Sequence, residues 1–383
     1  MPFFRLVFIV ILLSVMSAML LADGDRTRPL ALPSTRPAFI IGVWSQPAGD
    51  IGRWKARGIN TMLNYESQGH SVSMDDYTSA CAKAGVFLIR QPRAGQAIFD
   101  DAHEECLLAW MHNDEPDIKK PAVDPLDLLN DYTRMKWVDP DRPIFLNFSG
   151  GNVLFKKIPK SFYVGYMKAA DWISNDFYPV SGWAHPDWLA KVGETCDVLR
   201  EWSGGKPQFA FIETAPLHLP WRDFRGVSSD ELRGQIWDAV IHGVKGVVYF
   251  PQTGAAGGVP FHYDATPGEV VQEITEQNQR LAAFGSILCQ PANPYPVEVS
   301  VNVPLEATWR KTSDGITYLI ILNLSPDHLR HQIIKINRAT FVRIVDADIP
   351  DRILIIDNNT FTDDFRPFQV RIYNLGEMIL GTK

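Results

Sequence analysis

Cysteine is scarce and poorly spaced for a metal cage. Cys81, Cys106, Cys196 and Cys289 are spread through 383 residues, with no Cys-x-x-Cys pair and no histidine at ligand spacing, which argues against a structural zinc site. The four thiols could pair in three ways in an exported protein, or stay as small buried side chains. Long Lys/Arg blocks are also missing, and the formal net charge is −7, so the electrostatic footprint of nucleic-acid binding is absent. No His-x-His follows the first strand-like run, which disfavours metal hydrolysis on a barrel. A Gly-x-Ser-x-Gly nucleophile elbow is lacking too. Beyond residue 21 nothing reads as transmembrane.

What is present is an ordinary globular composition, 46% hydrophobic and 21% charged, long enough for a barrel plus a smaller domain. Eleven Trp and eleven Tyr exceed the needs of a minimal core, and flat rings make platforms for the apolar faces of sugars, although most such rings fill cores. The chain opens with Arg5 and an unbroken apolar run over 6–21. Residues 1–22 are therefore expected to be an export signal, with a retained membrane anchor as the alternative, since about 20 apolar residues span a bilayer. The expected location is secreted or periplasmic, and membrane contact is expected only if that segment is retained.

After a Pro-rich linker over 23–37, eight apolar runs recur at 38–44, 59–65, 86–91, 107–112, 143–148, 172–177, 208–212 and 246–250, with helix-like segments between several of them. Such alternation predicts βα units and a parallel sheet. Eight units in about 250 residues match a (β/α)8 barrel over 38–290, whose active site sits at the C-terminal strand ends. A doubly wound sheet would favour a Gly-rich phosphate turn after the first strand, where this chain has Trp44-Ser45-Gln46-Pro47. From residue 295 to 383 short alternating runs predict a C-terminal antiparallel β-sandwich that buttresses the barrel.

Two acids then stand out, Glu115 after the fourth run and Glu213 after the seventh. Glycoside hydrolysis needs one carboxylic acid to protonate the leaving oxygen and a second carboxylate as nucleophile or base, and these two would face each other across a sugar-sized cleft. Each acid alone reads equally well as a solvated loop charge or a helix-start charge. Trp44, Asn64, His112, Asn147, Tyr249 and Gln252 also fall at or near strand ends and are candidates for the innermost sugar subsite. Asp176, after the sixth run, is the rival carboxylate.

With these features the chain resembles the (β/α)8-barrel glycosidases of glycoside hydrolase clan A, without marking a family within the clan. The resemblance implies Glu115 as acid/base, Glu213 as nucleophile, and Tyr178 as the tyrosine that hydrogen-bonds the nucleophile. It also implies an asparagine immediately before the acid/base that binds the substrate 2-hydroxyl; here Asp114 holds that place and Asn113 is one residue further back. The expected function is an exported retaining glycosidase acting on β-linked oligo- or polysaccharide, with no cofactor or metal. A non-catalytic carbohydrate-binding barrel is the alternative, because fold alone does not prove function.

Overall fold

A computed structural model describes residues 36–64, 72–92, 105–217, 225–254, 260–293, 298–302, 304–337, 339–340, 344–349, 351–377 and 379–380. Eight parallel strands close into a barrel in sequence order: β1 Ile40–Trp44, β2 Thr61–Asn64, β3 Phe87–Arg90, β4 Leu107–Met111, β5 Ile144–Ser149, β6 Trp172–Asp176, β7 Gln208–Glu213 and β8 Gly246–Phe250. The last strand pairs back onto the first through Ile40–Gly246 to Val43–Tyr249.

Around the barrel run α1 Ile51–Ala56, α2 Met74–Ala84, α3 Pro125–Val138, α4 Gly150–Leu154, α5 Lys160–Tyr166, α6 Lys191–Ser203, α7 Ser229–Ile241 and α8 Gly268–Leu288. Local chemistry sets their ends. The Ser73 side chain accepts the Asp76 N–H to start α2, and Gly85 ends it in the left-handed region at φ 65°, a conformation glycine enters without Cβ strain. Met74, Tyr77, Thr78 and Cys81 are the buried residues of this helix, the spacing of one face turned to the core. A capping box between Ser228 and Glu231 starts α7.

Four of the eight barrel strands are buried along their whole length and the other four in all but their end residues, as expected when helices cover one face and the other fills the barrel. Inside lie Ile40, Trp44, Leu63, Ile89, Phe145, Phe209, Phe211 and Val248, while Ile41, Val43, Trp110, Ile212, Val247 and Tyr249 pack against the helices.

The C-terminal region forms a five-stranded sheet, a three-stranded sheet and a two-stranded ribbon. The first contains β10 Leu305–Lys311 and β11 Ile316–Asn323, paired antiparallel from Leu305–Asn323 to Lys311–Thr317. Ile320, Leu322, Val370 and Ile372 join the core that surrounds the barrel helices, so this sheet closes over α7 rather than standing apart. No disulfide joins the four cysteines to one another. Among the described residues no helix is long and apolar enough to cross a membrane; the 1–22 segment and the linker up to residue 35 lie outside them.

Candidate active site

Four carboxyl groups collect at the C-terminal ends of β4, β5 and β6. The chain leaves β4 through Asn113, Asp114 and Glu115, and Glu115 takes φ +45°. A non-glycine residue there costs about 1–3 kcal/mol and persists only where its surroundings fix it. Asn147, on β5 and 3% exposed, donates from Nδ2 to Asp114 Oδ1 at 3.0 Å and to Asp176 Oδ2 at 3.3 Å. Its own Oδ1 accepts from Ser174 Oγ at 2.7 Å. One amide thereby ties the acids after β4 and β6 together.

Asp176 Oδ1 accepts the Gly150 N–H at 3.2 Å. Gly150 is required there, because a Cβ would stand 2.7 Å from Phe177 Cβ and 2.9 Å from its backbone nitrogen. Glu115 lies beside Asp176 and Ser149, and its pKa is pushed up to about 8 by burial and then by the charges of Asp114 and Asp117. Burial and the Glu115 charge likewise drive Asp176 well above the usual carboxylate range. Each charge disfavours ionisation of the other, which favours a proton shared between neighbouring carboxyls. Two donors, Gly150 and Asn147, support the ionised form at Asp176 against one, Ser149, at Glu115. Glu115, Asp114 and Asp176 are half-buried and keep surface open to a ligand.

Asp117 is the member that sequence reasoning passed over. It is 2% exposed and accepts the Ser149 N–H at 3.1 Å and the Tyr163 hydroxyl at 2.9 Å. Burial pushes its pKa up to about 6 against the pull of those donors. It fixes the β5 end that carries Ser149 and Gly150. Its position two residues after Glu115 was the available signal, but that position reads equally well as a helix-start charge.

Glu213 does not take the place expected of it. Its carboxylate is 0% exposed, and four donors occupy it: Val180 N at 2.9 Å and Gln235 Nε2 at 2.9 Å on Oε1, Ser181 N at 2.6 Å and Ser181 Oγ on Oε2. Gln235 lies on α7, so the group is held between the loop after β6 and the helix layer. With every strong acceptor direction used internally, it anchors the 178–181 turn. Burial raises its pKa and the four donors oppose that rise. Tyr178, expected to hydrogen-bond this carboxylate, instead stacks on Phe250 with ring centroids 5.4 Å apart.

The other candidates divide. Trp44 is core rather than subsite, 3% exposed and edge-on to Phe211 inside the barrel. Tyr249 faces the helix layer, fully buried, and its hydroxyl donates to Asn278 Oδ1 on α8 at 2.7 Å. His112 also turns outward, with Nε2 2.8 Å from the Ala169 carbonyl oxygen, and burial keeps its pKa below the ordinary value. Gln252 donates to the Ser45 carbonyl and braces the β1 and β8 loops. Asn64 is buried at the end of β2, and its amide meets no partner among the described residues. Asn113 is exposed and accepts from Gln91 Nε2 at 2.6 Å, on the rim between β3 and β4. Trp183 and Trp188 pack with Phe155, while exposed His185 stacks on Trp188 at 3.9 Å. Glu66, His218, Trp221 and residues 255–258 lie outside the described residues.

A family model described as β-galactosidase, of glycoside hydrolase family 42, matches residues 127–288, less than half of the chain; the match includes Asp176 and Glu213 but not Glu115. No curated protein matches the sequence. Among solved structures, a family 27 β-L-arabinopyranosidase from Geobacillus stearothermophilus is similar at 10% identity and TM-score 0.55, over 89% of this chain and 97% of that one. A putative α-galactosidase from Bacteroides fragilis is similar at 10% identity and TM-score 0.55, over 90% and 80%. A family 39 glycoside hydrolase from Bacteroides cellulosilyticus is similar at 14% identity and TM-score 0.49, over 89% and 81%. At such identities the first two likenesses speak for the fold alone. Family match and fold together define the class, a (β/α)8-barrel glycoside hydrolase, in line with the resemblance read from the sequence. They mark out no one family within it.

Proposed function

We propose that this protein is an exported retaining glycosidase for β-linked glycosides or polysaccharide, with Glu115 as acid/base and Asp176 as nucleophile. The observation that carries the assignment is the adjacent, half-buried Glu115–Asp176 pair, with Asp176 held by Asn147 and the Gly150 N–H. Neighbouring carboxyls fit the roughly 5–5.5 Å separation of retaining pairs better than the roughly 6.5–9.5 Å of inverting ones. Glu115 then gives its proton to the glycosidic oxygen as that bond breaks, and the Asp176 carboxylate bonds to the anomeric carbon. Water next attacks that carbon, loses a proton to Glu115 and releases Asp176.

Asn147 and the Gly150 N–H stabilise Asp176 as an anion, and Asp114, bridged through Asn147, is the nearest group to meet a ring hydroxyl. Glu213 is a positioning residue for Tyr178 and its turn. The β-linkage is supported by the matched β-galactosidase family, and export by the apolar run over 6–21.

Incubation with a panel of 2-deoxy-2-fluoro β-glycosides, followed by peptide mass spectrometry, tests this. A sugar-sized mass increase on the Asp176 peptide is expected. An increase on Glu213 would keep the enzyme class and remove the nucleophile role from Asp176. Neither label nor hydrolysis across the panel, with sugar still bound, would favour the non-catalytic barrel.

A further inference from the structure

Away from the strand ends, where the C-terminal sheet meets the helix ring, one imidazole sits among three carboxylates. Asp238 and His242 project from the C-terminal part of α7 and the residue that follows it, four apart and so on one face. The edge strand β10 brings Glu306 to them. His242 Nε2 lies 2.9 Å from Glu306 Oε2 and 3.6 Å from Asp238 Oδ1, and the three ligand atoms fall within 4.8 Å of one another. Zinc bonds to imidazole nitrogen and carboxylate oxygen run near 2.0–2.2 Å, which puts tetrahedral donors roughly 3.3 Å apart; the two measured separations bracket that spacing.

Three further observations point to a ligand. Asp238 is wholly buried, yet its Oδ1, on the His242 side, has no hydrogen-bond partner, while Oδ2 accepts the Gly193 N–H at 2.7 Å. A buried carboxylate oxygen left unpaired is costly. His242 Nδ1 lies 2.8 Å from Asp197 Oδ2, the outer carboxylate–histidine contact that fixes the tautomer with Nε2 free to bind metal. Gly193 leaves the space, since a Cβ there would fall 2.7 Å from Asp238 Oδ1 and 2.3 Å from His242 Cδ2. Beside His242 and Glu306 opens a cavity of about 410 Å³, lined also by Asp197, Arg200, Asn293 and Thr308, with room for a water on the fourth position.

We propose that Asp238, His242 and Glu306 form a zinc site that fastens the C-terminal sheet to the barrel. Loading exchanges the proton on His242 Nε2 for the metal and releases that proton to solvent. The expectation against zinc drawn from cysteine spacing does not reach this site, which uses no thiol.

The test uses the full chain, stripped with EDTA, dialysed, and titrated with zinc chloride. Elemental analysis should then find one zinc per chain, and the thermal midpoint should rise by several degrees, since a ligand bound only by the folded state stabilises it. His242→Gln and Glu306→Gln should each lose that equivalent and the thermal shift; the second changes a half-exposed surface side chain and keeps the protein folded by circular dichroism. A wild-type chain that takes up no zinc overturns the proposal. So does equal uptake by both variants, which would transfer the metal to another site.

Discussion

Replacing Glu115 with Gln should stabilise the protein while disabling it, and the size of the effect should depend on pH. The Glu115 pKa is raised from 4.5 to about 8, first by burial and then by Asp114 and Asp117. A carboxyl with a raised folded-state pKa binds its proton more tightly folded than unfolded. Its contribution is therefore intact below the unfolded value of 4.5 and is lost as pH rises toward 8. The loss accumulates at about 1.4 kcal/mol per pH unit and reaches about 3 kcal/mol by pH 7, an upper limit because Asp176 shares the proton. Glutamine keeps the shape and a donor but does not titrate. Urea unfolding should place Glu115→Gln about 1–3 kcal/mol above the wild type at pH 7, with the gap closing to under about 1 kcal/mol at pH 5. Turnover should fall by about 10²–10⁴ at both values, the usual share of a general acid–base group. A variant no more stable than wild type at pH 7, or a gap that ignores pH, would refute the shared-proton picture.

Three further substitutions separate the groups that bear chemistry from those that hold the frame. Glu213→Gln offers an amide nitrogen to a site filled by N–H and O–H donors, so it should destabilise by about 1–3 kcal/mol; the refolded fraction should keep turnover within about tenfold, whereas Asp176→Asn should lose it by orders of magnitude, all read from kcat after correction for folded protein. Tyr249→Phe removes the donor to Asn278 and should cost about 1 kcal/mol in thermal unfolding with KM unchanged; a raised KM would return Tyr249 to the sugar site.

The barrel was legible because its strands are buried on both faces and so appear as continuous apolar runs. The expected 107–112 and 246–250 correspond to Leu107–Met111 and Gly246–Phe250. The same property hid the site. A strand with one wet face alternates and declares which side chains point in, but these strands carry no such contrast, and Trp44, His112 and Tyr249 could not be assigned a side from their spacing. In the C-terminal region alternation is visible, but the strand Thr360–Phe365 hides it. Its inward positions are Phe361, Asp363 and Phe365, and an acid in the middle of an apolar face spoils the pattern. That acid is tolerated because Arg352 and the Tyr373 hydroxyl reach it from elsewhere in the chain.

Glu213 and Glu115 present the same difficulty in its sharpest form. Each is a glutamate ending an apolar run, and sequence gives both the same reading. What separates them is the supply of donors. Glu213 is surrounded by Val180, Ser181 and Gln235, distant in the chain and all able to donate. Glu115 meets mainly other acids, Asp114 and Asp117 from its own loop and Asp176 brought in by β6. A carboxylate given four donors has its charge spent on holding the fold, and one pressed against a second carboxyl keeps a proton it can release. The chemistry of a strand-end acid is thus decided by what the neighbouring strands deliver to it, which no window of local sequence contains.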